Sequence, residues 1–81
     1  MNLINHFSLR EDGMPGWRRR VYEHAGQTVY IDRQRDPRLV DVFVVSNGLY
    51  CLASWKGKKA RLSWGKLEAA VLELLEQKAT E

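Results

Sequence analysis

Apolar positions recur every second residue over most of this chain and take up helical spacing only towards its C-terminus. The clearest alternation lies in residues 39–55, where LVDVFVVS and LYCLASW flank Asn47-Gly48. Two β-rich runs around an Asn-Gly pair predict a hairpin, because both central positions of a type I′ turn need φ > 0. A two-residue loop would pair Ser46 with Leu49, Val44 with Cys51, Val42 with Ala53 and Val40 with Trp55 on one face. Val45–Tyr50, Phe43–Leu52 and Asp41–Ser54 would share the other. The first face is thin and is the expected seat for a helix. Residues 17–24 also alternate, with Trp17, Arg19, Val21 and Glu23 on one side and Arg18, Arg20, Tyr22 and His24 on the other. A turn at residues 24–27 and a returning strand at 28–32 make a second hairpin. Leu3, Phe7 and Leu9 suggest a short edge strand or an ordered arm. The basic turn at residues 56–59 leads into residues 60–62, a candidate last strand.

From Trp64 the apolar residues fall at Leu67, Val71, Leu74 and Leu75, with Ala70 and Leu72 widening the stripe. That spacing predicts a helix to Ala79, with Ser63 as N-cap and Lys66, Glu68, Glu73, Glu76 and Gln77 facing outward. Strands followed by a single helix argue for an α+β fold: an antiparallel sheet of four to five strands with one C-terminal helix on one face. One domain is expected, with an N-terminal arm or edge strand over residues 1–16, the sheet over 17–62 and the helix over 63–79.

The lone cysteine, Cys51, rules out an internal disulfide and reads as a small buried hydrophobe. No apolar run approaches the ~20 residues of a membrane span, and residues 1–13 do not have the form of a secretory signal. A cytoplasmic protein is expected, with no membrane partner. The net charge of +3 is unevenly placed. Residues 17–61 carry ten basic and four acidic side chains, whereas the segments on either side are mildly acidic. That asymmetry can signal an anionic partner.

Candidate chemistry is sparse. His6 and His24 have no accompanying carboxylate or thiol, and the glycines match neither a phosphate loop nor a dinucleotide fingerprint. No enzyme activity, cofactor or metal is expected. Asp32, Asp36 and Asp41 flank the Arg33–Arg38 loop and are read as pairing locally or capping turns, not as a catalytic dyad. Basic and aromatic residues are the stronger signal. Arg18, Arg20 and Tyr22 share a strand face that Tyr30 could join. Arg33, Arg35 and Arg38 crowd one connection, and Lys56, Lys58, Lys59 and Arg61 another. Such clusters bind phosphate and stack on bases, or solvate a face and guard sheet edges. Trp17, next to Arg18-Arg19-Arg20, is the best candidate for an exposed anchor, since Trp and Arg dominate binding hot spots. Exposed edge strands could also pair two chains into a homodimer.

Lys58-Lys59-Ala60-Arg61 ahead of LEAAVLELL resembles the last hairpin and helix start of double-stranded-RNA-binding domains. The layout of strands followed by one helix is similar to that of integrase arm-binding domains, which would use the face of Arg18, Arg20 and Tyr22. As a whole, a short chain with a compact sheet, one helix and charged loops resembles small phage-encoded inhibitors of the anti-CRISPR type. That resemblance implies a non-enzymatic protein that occludes a surface of a host protein or nucleoprotein complex. The alternative is a small basic nucleic-acid-binding domain that uses its sheet and basic loops.

Overall fold

The structure, a computed structural model, describes residues 1–9, 16–34 and 41–79. They form five strands and a C-terminal helix: β1 (Asn2–Leu9), β2 (Trp17–His24), β3 (Gln27–Gln34), β4 (Val42–Ser46), β5 (Cys51–Lys56) and α1 (Trp64–Ala79). The strands are antiparallel and lie in sequence order, so the sheet is a meander with β1 and β5 at its edges. This is the α+β arrangement that the hydrophobic pattern predicts. The N-terminal stretch is a full edge strand along β2. Among the described residues no helix is long and apolar enough to cross a membrane.

The core lies between one sheet face and α1. Tyr22, Val29, Ile31, Phe43 and Val45 meet Leu67 and Val71, with Ala60 closing one end. Each fully buried side chain of the Val, Ile or Phe type contributes about 1.5–3 kcal/mol, which makes this cluster the main source of stability. Of the expected helix stripe, Leu67 and Val71 are buried and Trp64, Leu72, Leu74 and Leu75 half-buried, while Ala70 is exposed. Ser63 starts it: its carbonyl accepts from the Leu67 amide at 3.0 Å, and its hydroxyl from the Lys66 amide at 3.4 Å.

Three local expectations are corrected. Asn47-Gly48 does not form a two-residue turn. Gly48 has φ +93° but Asn47 is not in the left-handed region. The Asn47 side chain instead accepts from the amides of Leu49 and Tyr50 at 3.0 and 2.8 Å, closing a longer loop. Ser46 therefore pairs with Cys51, and Val44, Phe43 and Val42 pair with Ser54, Trp55 and Lys56. Relative to the tight hairpin, β5 slides by an odd number of residues, which transfers its side chains to the opposite face. Trp55 packs with Phe43 and Val45 against the core, as does Leu52 beside the bulge, so the helix sits on the bulkier face of β4. Phe43 meets Trp55 at 5.3 Å and Trp64 at 6.2 Å between ring centroids, a packing gain the tight register would forgo.

The second correction concerns Cys51, which is exposed at the start of an edge strand. The third concerns the basic turn, which continues into a 3-10 turn at Gly57–Arg61 in place of a last strand. Asp41 holds that turn: its carbonyl accepts from the Gly57 amide at 2.9 Å and its carboxylate from Arg61 Nε at 2.6 Å. The two-residue hairpin turn lies elsewhere, at Ala25-Gly26, with φ +50° and +77° between β2 and β3.

Candidate interaction surface

Strand register sorts the basic and aromatic residues onto two faces. Directly opposed residues in an antiparallel pair share a face. Arg20 faces Ile31, Tyr22 faces Val29 and Arg33 faces Phe43, which places Arg18, Arg20, Tyr22 and Arg33 on the helix side. This corrects the expectation of an open Arg18–Arg20–Tyr22 face. Tyr30 does not join them. It lies opposite Val21, on the outer face.

On the helix side, Arg20 and Tyr22 both donate to Glu68 Oε1, Arg20 from 2.8 Å. Glu68 therefore turns towards the sheet and not outward as its place in the helical pattern suggests. Burial, with the Glu68 hydrogen bond second, pushes the Tyr22 hydroxyl up to about 12. The Arg20 guanidinium stacks 4.2 Å from the Trp64 ring centroid and that of Arg33 lies 5.5 Å away. Trp64 also borders a hollow of ≈ 270 Å³ with Gly16, Arg18 and Arg33.

On the outer face, Arg19 forks onto Asp32, Nε to Oδ1 at 2.7 Å and a terminal nitrogen to Oδ2 at 3.0 Å. Those two residues are directly opposed across β2 and β3. The hydrogen bond to Asp32 raises the Arg19 pKa despite partial desolvation. The same guanidinium lies 5.0 Å from the Tyr30 ring centroid. Tyr30 in turn supports the β4–β5 loop, since a Cβ on Gly48 would come within 3.1 Å of its ring. Around this ion pair the register gathers Phe7, Leu9, Trp17, Val21, Val42 and Val44.

Most of the arginines in the described part are therefore occupied. Arg19, Arg20 and Arg61 pair with Asp32, Glu68 and Asp41, and Arg33 is buried against Trp64. Arg18, Lys56 and Lys58 are exposed and make no ion pair among the described residues. Arg35, Arg38 and the Lys59 side chain lie outside the described residues. Trp17 is half-buried between Leu9 and Gln34 rather than fully exposed.

Two of the exposed large apolar groups, Leu49 and Tyr50, are ones the tight hairpin would place in paired strands. Leu49 and Tyr50, 85% and 71% exposed, occupy the β4–β5 loop, and Phe7 and Leu9, 41% and 37% exposed, lie on β1. Their signal was present in the hydrophobic pattern but masked by the tight-turn register, which would have placed Leu49 and Tyr50 in a ladder. Among the described residues no three His, Cys, Asp or Glu side chains are grouped to hold a metal ion. Comparison with protein families, curated proteins and solved structures returns no match for this chain.

Proposed function

We propose that this chain is a non-enzymatic binding protein whose partner is another protein, engaged through the outer sheet face and the β4–β5 loop. The observation that carries this reading is the division of labour among side chains. Arginines that would track phosphates are held by Asp32, Asp41 and Glu68 or buried against Trp64, while Leu49, Tyr50, Phe7 and Leu9 stand exposed. Exposed aromatic and aliphatic groups around a part-buried ion pair have the composition of protein-binding hot spots. Occlusion of a host protein or nucleoprotein surface in the cytoplasm, as small mobile-element inhibitors of the anti-CRISPR type do, is the form of this function that needs no chemistry of its own.

The hollow bounded by Arg18, Arg33 and Trp64 favours a second reading, contact with nucleic acid. Binding to a mixed panel of duplex and single-stranded nucleic acid at about 50 and 200 mM salt separates the two, because each neutralised phosphate on a duplex adds about −0.9 to the log–log salt slope. The protein-binding reading expects no tight binding at either salt. It also expects a host-lysate partner whose capture is lost in a Trp17→Ala/Tyr50→Ala variant and kept in Lys56→Ala/Lys58→Ala. Tight binding that collapses with salt and weakens in Arg18→Ala would replace it with the nucleic-acid reading.

A further inference from the structure

We infer that β1 is a self-pairing edge: two copies of this chain join antiparallel through β1 about a two-fold axis, giving one continuous ten-strand sheet. All eight residues of β1 are exposed, and its outer edge carries backbone amides and carbonyls that β2 does not use. Sheet proteins ordinarily guard such an edge with lysine, proline or inward-pointing charge. The β1 sequence, NLINHFSL, has no Lys, Arg, Asp, Glu or Pro, and it exposes Leu3, Ile4, Phe7 and Leu9. The opposite edge, β5, is shorter, lies against a bulge and ends in Lys56.

A second copy is the occupant that this edge suits. A chain of net charge +3 opposes its own association unless the contact strand is uncharged, as β1 is. Across a β1–β1 seam the arginines of the two β2 strands lie three strand spacings apart, about 14 Å. That exceeds the screening length of about 8 Å at physiological salt. Register follows from the bulge between Leu3 and Asn5, which leaves Asn5 to Leu9 as the regular stretch. Its midpoint is Phe7, so a two-fold axis there pairs all five residues. Phe7 meets its own counterpart and Asn5 meets Leu9 on the outer face, while His6 meets Ser8 on the helix side. The axis is normal to the sheet, so the two outer faces become one surface. A domain of this size gains from such association, since its own core is small.

One strand pair makes an interface below the ~1,200 Å² of standard complexes, so association is expected to be weak and concentration-dependent. Light scattering on the full chain from about 5 to 500 µM should show the molar mass rising from monomer to dimer over that range. Phe7→Lys opposes two charges at the axis and should raise the Kd about tenfold or more. Leu49→Lys, with the same change of charge away from the seam, should leave it unchanged. Far-ultraviolet circular dichroism checks that both variants fold. Hydrogen exchange of the wild-type β1 amides should slow as concentration rises, a readout that survives if Phe7→Lys does not fold. A wild-type monomer at the highest concentration overturns the inference, as does equal weakening by both variants or concentration-independent exchange of β1.

Discussion

Ala25 occupies φ +50° in the two-residue turn between β2 and β3. A side chain with a Cβ resists that conformation, whereas Asn tolerates it through local hydrogen bonding. Gly26 already suits the second turn position. Ala25→Asn is therefore expected to stabilise the protein by about 0.5–1 kcal/mol, or a few degrees in Tm for a domain of this size. Thermal denaturation followed by circular dichroism measures it. A lower Tm would mean that the turn does not need Asn at this position. The Asn-Gly pair best suited to such a turn lies instead at residues 47–48, where the Asn47 side chain ties two amides and opens the loop. Local propensity thus appears in the right kind of structure but at a different hairpin.

At the scale of elements, the helix was the most legible part of the chain. Its boundaries, its N-cap and the burial of Leu67 and Val71 follow from a stripe that only one helical phase satisfies. Gly65 is the exception to good helix-forming sequence in its first turn. A Cβ there would meet nothing within 4 Å, and its φ is not positive. Gly65→Ala should then stabilise by about 0.5–1 kcal/mol through the lower entropy of the unfolded chain. Urea denaturation should move its midpoint upward without altering the slope. A reduced midpoint would mean that Gly65 serves a contact at the helix start. The strands were legible as elements, but their pairing was only partly so. The β2–β3 register follows from a short turn and matches opposite charges, Arg19 against Asp32. The β4–β5 register is decided by aromatic packing of Phe43 with Trp55, which a local reading of turn propensity cannot weigh.

At the scale of the whole molecule, helix and sheet are joined by the apolar core, by Tyr22 and Arg20 on Glu68, and by Arg20 and Arg33 against Trp64. The Tyr22 hydroxyl titrates at about 12, above its ordinary value of 10.0, first because it is buried. A group whose folded-state pKa is raised contributes stability that is fully present below its unfolded pKa. That contribution is lost as pH rises through the folded one. Wild-type stability should accordingly fall between about pH 10 and 12, and Tyr22→Phe should fall less over that window. Absorbance at alkaline pH should show a late tyrosinate step in the wild type that the variant lacks. An identical alkaline decline in both would detach Tyr22 from it.

The fold class, the single helix with its buried stripe and the period-two strands are written in the sequence, because periodicity is a local property of neighbouring residues. The distribution of Arg18, Arg20 and Tyr22 on one strand face is legible for the same reason. Which face the helix covers is not, since that depends on how far β5 slides along β4, and an odd slide exchanges its two faces. Tertiary structure alone decided that Arg20 and Arg33 would stack on Trp64 and that Arg19 would close on Asp32. It likewise left Leu49, Tyr50 and the uncharged β1 edge facing outward. These outcomes turn on contacts between residues far apart in the chain, where long-range packing, not local preference, sets the energy.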